Sequence, residues 1–116
     1  MEDFVTYNIA EKLNEKGFDW SCSRYYSVDN KKLKKNEYWA YEERISAPTI
    51  SQALKWLREK DIMVEIPPVL CDDGTWTFSF RVQTKKFYDR SIKEDYNSYE
   101  LAALACIEYV LDKILR

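Results

Sequence analysis

Apolar residues recur with a helical period between Thr49 and Glu59. Pro48 blocks an upstream continuation, and Thr49 stands three residues before Gln52, a spacing that predicts a reciprocal capping box at the start of a helix. The apolar positions then fall on one stripe, opposite the charged ones: Ile50, Ala53, Leu54 and Leu57. The pattern predicts an amphipathic helix with one face on a core.

After Asp61 the apolar residues occupy every second position. Two such segments follow each other, separated by a turn sequence: Ile62, Val64 and Ile66 in the first, and Trp76, Phe78, Phe80 and Val82 in the second. Alternation of this kind is typical of strands with one face on a core. The two segments therefore predict a β-hairpin around Asp72-Asp73-Gly74.

The length of the turn decides which residues of this hairpin face each other. A two-residue Asp73-Gly74 turn would place Glu65 opposite Val82 and mix polar with apolar residues on each face. A three-residue loop, with Gly74 in the left-handed conformation, keeps the apolar residues together. It gives the pairs Leu70 with Trp76, Pro68 with Phe78, Ile66 with Phe80, Val64 with Val82 and Glu65 with Arg81. We expect this register, with Pro67 and Pro68 at a sheet edge or bulge because proline cannot donate to a ladder.

Two further helices are predicted near the ends of the chain. The first should run from about Thr6 to Lys16 and end at Gly17. The last should run from about Ser98 to Leu115, with either Asn97 or Ser98 as its N-cap. Its expected apolar face comprises Ala103, Leu104, Ile107, Val110, Leu111 and Ile114.

The remaining segments are less clearly patterned. We expect a hairpin with strands at Ser23 to Ser27 and Glu37 to Arg44, joined by a polar turn that includes the lysines after Lys31, and a charged surface loop from Thr84 to Tyr96 with a strand extension near Phe87. The fold class predicted is α+β, in the order α-β-β-α-β-β-α. The two antiparallel hairpins should join into one sheet with helices mainly on one face, and residues 1–116 should form a single globular domain.

Composition restricts the setting of the protein. The chain has 116 residues and a formal charge of −2, and its longest uninterrupted apolar run, Leu101 to Ile107, is far too short to span a membrane. It opens without a basic or apolar leader pattern. Its three cysteines, Cys22, Cys71 and Cys106, are widely spaced and odd in number. We therefore expect a cytoplasmic protein with reduced thiols and no membrane partner.

The residue inventory argues against most catalytic chemistry. The chain has no histidine, so every Ser-His or Cys-His nucleophile pair is excluded, and its two glycines, Gly17 and Gly74, cannot form a phosphate-binding loop. Asp72 and Asp73 are adjacent carboxylates, but a hairpin turn needs such residues in any case. We expect no enzyme, no cofactor and no metal site. A carboxylate-based enzyme or a small-ligand protein is the third hypothesis for function.

A cluster of lysines and aromatic residues is the candidate interaction surface: Tyr25, Tyr26, Lys31, Lys32, Lys34, Lys35, Trp39 and Tyr41. Tyrosine and tryptophan carry hot spots at protein interfaces, and the chain has nine Tyr and four Trp. The favoured hypothesis is a non-catalytic interaction or structural module with an unknown protein partner or with itself. Lysines beside aromatic rings also grip nucleic acid, which is the second hypothesis, although the overall charge opposes it. A solvated, lysine-protected hairpin tip explains the same run.

Four segments together resemble a group of small proteins from bacterial genomes and their phages or integrated elements. They are Ser46-Ala47-Pro48-Thr49, Trp56-Leu57-Arg58-Glu59, the Asp73-Gly74 turn followed by Trp76, and Ser98-Tyr99-Glu100. The match covers most of the chain, and its motifs consist of packing and capping residues. The resemblance implies provenance and a shared fold, and no activity or site residue comes with it.

Overall fold

The computed structural model describes residues 3–35, 43–86 and 90–115, with the side chains of residues 90–94 left out. The described elements are α1 (Tyr7–Glu15), β1 (Arg24–Ser27), β2 (Leu33–Lys35), β3 (Arg44–Ser46), α2 (Ile50–Glu59), β4 (Met63–Glu65), β5 (Pro68–Leu70), β6 (Trp76–Gln83), β7 (Arg90–Tyr96) and α3 (Tyr99–Tyr109), which continues into a π-helical segment, Val110–Ile114. The α+β class is confirmed, and the predicted order of elements matches in outline.

Helix α1 begins and ends where local chemistry predicts. The Thr6 hydroxyl accepts from the backbone N–H of Ile9, and Gly17 at the other end has φ +93°. The N–H of Phe18 donates to the carbonyl of Leu13 at 3.0 Å, which completes a Schellman motif. The aromatic ring of Phe18 is buried as a result.

Helix α2 has the reciprocal capping box that its sequence predicts. The Gln52 N–H donates to the Thr49 hydroxyl at 3.1 Å, and the Thr49 N–H donates to the Gln52 side-chain oxygen at 3.0 Å. The helix ends with Asp61 in the left-handed region, at φ +62°, and the Ile62 N–H donates to the Leu57 carbonyl. An aspartate therefore takes the position that glycine holds after α1.

The register of the β5–β6 hairpin is confirmed. Leu70 pairs with Trp76, and Pro68 with Phe78. Val64 pairs with Val82 and Glu65 with Arg81, whose side chains lie 3.7 Å apart as an ion pair. The pairs that precede Ile66 in the strand and those that follow it share one register. The loop has three residues, with Gly74 at φ +85°.

Proline explains why the strand opposite β6 is split into β4 and β5. The Ser79 N–H donates to the Pro67 carbonyl at 3.1 Å, so Pro67 lies at a hydrogen-bonded position of the antiparallel ladder. Its ring nitrogen has no proton to return to the Ser79 carbonyl, and the regular ladder stops there. The strand lies at the sheet edge, as expected for a segment with Pro67 and Pro68.

Two expectations about the sheets are corrected. The described strands form two sheets, in the orders β2-β1-β3 and β4-β6-β5 with β7 also paired to β6, and the first hairpin does not join the second. Both edges of β6 are occupied, so β1 has no place beside it. The segment expected to be a charged surface loop contains β7, which pairs with β6 through a register irregularity between Phe78 and Phe80. A polar, irregular strand of this kind lacks the alternation that would identify it.

The first hairpin also differs from its prediction. Lys34 and Lys35 lie in β2, paired with Tyr25 and Arg24, and not in the turn. Strand β3 pairs with the other side of β1. The expected second strand, Glu37 to Arg44, falls mostly on residues outside the described part of the chain.

A buried cluster joins the helices to β6. It includes Leu13 of α1, Leu57 of α2, Phe80 and Val82 of β6 and Ile107 of α3. Val64, Ile66 and Phe78 belong to the hairpin face that the alternation places on the core, and they are only half-buried. Among the described residues, no helix has both the length and the apolar character needed to cross a membrane.

Helix α3 closes this cluster. Its N-cap is Ser98, whose hydroxyl accepts from the Leu101 N–H at 3.1 Å. Ala103, Ile107, Val110 and Leu111 are buried as predicted, whereas Leu104 and Ile114 are half-buried. The ammonium group of Lys12 on α1 lies 3.0 Å from Asp112 and 3.6 Å from Glu108, and so ties the two helices together at the surface.

Candidate interaction surface

One face of the β5–β6 hairpin is apolar along its length but only partly covered. At its inner end Phe80 and Val82 are buried. Phe78 is half-buried. At its outer end Trp76 is 56% exposed and Leu70 is 60% exposed. Because alternate residues of a strand share a face, the core side of the hairpin continues outward into solvent.

Helix α3 covers the inner part of this apolar face, and the covered part ends where the helix begins. Tyr99 is the first residue of α3, and its ring packs edge-on against Phe78, with centroids 6.3 Å apart and planes at 85°. The chain enters the helix at Ser98, so the helix does not reach the outer pair. We call Pro68, Leu70, Trp76, Phe78 and Tyr99 the hairpin-tip patch.

Hydrogen bonds within the turn hold the patch in shape. The Cys71 N–H donates to the Thr75 carbonyl at 2.8 Å, and the Gly74 N–H donates to the Cys71 carbonyl at 3.0 Å. The Thr75 backbone N–H and hydroxyl both donate to one carboxylate oxygen of Asp73, at 3.0 and 2.6 Å. Leu70 and Trp76 are therefore presented by an ordered turn.

Exposed carboxylates adjoin the patch along the chain. Asp72 and Asp73 occupy the turn, and Glu100 follows Tyr99 in the first turn of α3. The hydrogen bonds from the Thr75 side chain and backbone lower the pKa of Asp73 below its ordinary value, so this carboxylate stays charged in mildly acidic solution. The patch thus has an apolar centre and a negatively charged border.

The two described aromatic residues of the surface predicted from sequence, Tyr25 and Tyr26, are each at least half-buried. The Tyr25 ring is only 4% exposed, and the Arg44 guanidinium carbon lies 4.8 Å from its centroid. Tyr26 is half-buried, donates its hydroxyl to the Val5 carbonyl at 2.5 Å and packs edge-on against Tyr7. Trp39 and Tyr41 belong to the same predicted surface but lie outside the described residues.

The lysines of that surface are more accessible than the tyrosines. Lys31, at φ +57°, places its ammonium group 5.2 Å from the centroid of the Tyr7 ring. Lys32 and Lys35 are exposed, and Lys34 is half-buried. Leu33, between them, is 41% exposed. Alternation along β2 places the half-buried Lys34 on the face it shares with its partner Tyr25, and Leu33 and Lys35 on the other face.

All three cysteine side chains are at least half-buried. Burial raises the pKa of the Cys106 thiol to about 12 and that of Cys22 above its ordinary value, which keeps both protonated. Cys71 is half-buried beside the Thr77 hydroxyl. Among the side chains of residues 3–35, 43–86 and 95–115, no group of three potential metal ligands is found.

A shallow cavity of about 220 Å³ lies at the end of α2, lined by Asp61, Met63, Gln83, Thr84 and Lys85. Lys85 and Asp61 pair across it at 3.1 Å. Its volume is below the roughly 300 Å³ at which pockets for small ligands begin. It gives no support to a small-ligand site.

Reasoning from sequence paired Leu70 with Trp76 but did not include them in the candidate surface. The lengths of the hairpin and of the last helix indicate that the outer end of this face is exposed. The apolar alternation of the hairpin reaches its turn, while the N-cap at Ser98 limits how much of that face α3 can cover. Only the packing of Tyr99 on Phe78 shows which residues lie beyond the cover.

Comparisons of the chain with protein-family models, curated proteins and solved structures give no match. The resemblance to bacterial and phage proteins therefore stays a prediction.

Proposed function

We propose that this protein is a non-catalytic interaction module whose docking surface is the hairpin-tip patch. The observation that carries the proposal is the exposure of Leu70 and Trp76 on a face that continues the core. Large apolar side chains that are exposed together mark binding sites more often than scattered ones do.

The composition and rigidity of the patch support this function. Tryptophan and tyrosine are enriched among the residues that dominate binding energy, and the patch contains Trp76 and Tyr99. The hydrogen-bonded turn orders the backbone next to Trp76 before a partner arrives, so less conformational entropy of the backbone is lost on binding. The carboxylates of Asp72, Asp73 and Glu100 favour a partner segment that combines an apolar anchor with lysine or arginine.

The test uses a displayed library of random short peptides and two matched baits. One bait is the native protein, and the other carries Leu70→Ser and Trp76→Ser. We expect the native bait to enrich peptides with an apolar residue flanked by basic ones, and the double variant to lose them. A Met63→Ser bait is the control, because Met63 is exposed on the opposite face of the hairpin. Identical peptide pools from the native and double-variant baits would refute the proposal.

Nucleic-acid binding is the second candidate, and the exposure of Lys32 and Lys35 favours it. The enclosed Tyr25 ring weighs against it, because stacking on bases needs an accessible aromatic face. The formal charge of −2 supplies no general attraction to phosphate. We therefore rank it below protein interaction.

We extend the proposal to the setting of the module. The four segments that resemble bacterial and phage proteins support an origin in a bacterial genome or mobile element. The odd number and wide spacing of the three cysteines support a reducing, cytoplasmic location.

A further inference from the structure

We propose that the hairpin-tip patch of one molecule binds the Lys31–Lys35 segment of a second copy of this chain. This inference rests on the proposed function and names the partner of the same patch. It predicts head-to-tail association, in which each molecule offers one patch and one segment.

The Lys31–Lys35 segment has the chemistry that the patch favours. Leu33 is an exposed apolar side chain, and the exposed Lys32 and Lys35 lie on either side of it. Strand β2, which carries Leu33 and Lys35, is at the edge of its sheet within the described strands. Within the described strands, β2 has a pairing partner on one side only, and the exposed Leu33 lies between positive charges along the chain.

The two surfaces complement each other in both polarity and charge. Leu33 matches the apolar centre formed by Leu70 and Trp76, while Lys32 and Lys35 match the carboxylates of Asp72, Asp73 and Glu100. Close charge pairs of opposite sign fix the register of an interface and speed association. Apolar contact supplies the remaining attraction.

Charge also favours a contact between the patch and the segment over a contact between two patches or two segments. A symmetric contact of patch with patch would bring the Asp72 and Asp73 carboxylates of both molecules together. A symmetric contact of segment with segment would do the same for the lysines. Like charges at an interface oppose binding, so the patch-to-segment contact is favoured. A dimer held by one such contact leaves one patch and one segment unoccupied, and it can therefore add further copies.

Two complementary variants test this arrangement. The patch variant carries Leu70→Ser and Trp76→Ser, and the segment variant carries Lys32→Glu, Leu33→Ser and Lys35→Glu. All five side chains are exposed, so both variants should fold, which matched denaturant unfolding curves would verify. Met63→Ser serves as the control for an exposed apolar residue elsewhere on the hairpin.

Sedimentation velocity gives the readout. We expect the native protein and the Met63→Ser control to form species larger than a dimer as concentration rises. The dissociation constant should be on the order of 10–100 µM, as for a small, transient interface. Each variant alone should remain monomeric. A mixture of the two variants in equal amounts retains one intact patch and one intact segment, so it should form a dimer and nothing larger. High salt should weaken both assemblies.

Several results would overturn the inference. The inference is wrong if the native protein stays monomeric at every concentration. It is also wrong if the mixture of the two variants stays monomeric. A patch variant that still assembles like the native protein would show that another surface is used. If the native bait nevertheless enriches peptides that the patch variant loses, the proposed function stands and the partner is a different protein. Failure of both experiments would reject the patch as a docking surface.

Discussion

Leu70 and Trp76 face each other across the β5–β6 ladder, and each side chain is more than half exposed. They belong to the same face as Phe80, which is only 2% exposed. One continuous strip of the hairpin thus serves as core at one end and as surface at the other. The helix that covers the strip begins at Tyr99, and the boundary between the two roles lies at its contact with Phe78.

The two ends of this strip should respond differently to truncation. Phe80 packs against Tyr96 and Tyr109, with ring centroids 6.2 and 5.8 Å apart, so Phe80→Ala should lower the free energy of unfolding by about 3–5 kcal/mol. Trp76→Ala should lower it by less than about 1 kcal/mol, because most of that ring is already in water. Urea unfolding of both variants measures the difference. Similar losses for the two would show that Trp76 is part of the core.

The turn should depend on the left-handed conformation of Gly74. A Cβ placed there would meet no atom within 4 Å, so the effect of Gly74→Ala comes from the backbone alone. At φ +85° an alanine should lower the free energy of unfolding by about 1–2 kcal/mol. Gly74→Asn, whose side chain tolerates this region better, should lower it by less. Equal stability of the alanine variant and the native protein in thermal unfolding would contradict the assigned turn.

Stability should fall in alkaline solution because of Cys106. Its folded-state pKa is raised to about 12, while a thiol in the unfolded chain ionises near 8.5. Below about pH 8.5 both states are protonated and full stability is present. As the pH rises toward 12 the unfolded chain loses the proton first, and the free energy of unfolding falls by up to about 1.4 kcal/mol per pH unit. Urea unfolding between about pH 8 and 10 measures this slope.

The Cys106→Ala variant is the control for that slope. It should be less stable at neutral pH, because it leaves a cavity in the core, but it should lose stability less steeply with pH. Parallel curves for the native protein and the variant would mean that Cys106 is accessible enough to ionise in the folded state.

Mixed-sequence oligonucleotides should not bind at physiological salt. Fluorescence anisotropy with single-stranded and duplex DNA tests this, with Lys32→Ser and Lys35→Ser together as the comparison variant. If nucleic-acid binding were the function, affinity would be sub-micromolar, and removing two lysines would reduce the slope of log K against log salt by about two on duplex DNA. That outcome would replace protein interaction as the leading function.

The elements that sequence predicts best are those fixed by local chemistry. The capping box of Thr49 and Gln52, the Schellman motif at Gly17 and the loop at Gly74 each depend on residues close together in the chain. The hairpin register followed because only one loop length kept the apolar residues on one face. Strand β7 was missed because its residues do not alternate and its pairing with β6 is irregular.

The candidate surface was harder to predict than the fold. Tyr25 and Tyr26 have the composition of an interface, yet Tyr25 is buried and Tyr26 uses its hydroxyl to bind the Val5 carbonyl. Conversely, Leu70 and Trp76 have the pattern of a core and are exposed. Exposure depends on which distant element covers a strand, and here that is set by the start of α3 at Tyr99. Alternation along one strand does not indicate how far a helix elsewhere in the chain will cover that strand.

The most direct test of the account is an NMR titration of the isotope-labelled protein with a synthetic peptide that spans Asp29 to Lys35. A peptide in which serine replaces Leu33 is the control. The account predicts progressive amide shifts at the hairpin-tip patch, around residues 68–78 and 98–100, with much weaker shifts for the control peptide and none in the Leu70→Ser, Trp76→Ser variant. Shifts confined to other parts of the chain, or equal responses to both peptides, would contradict it.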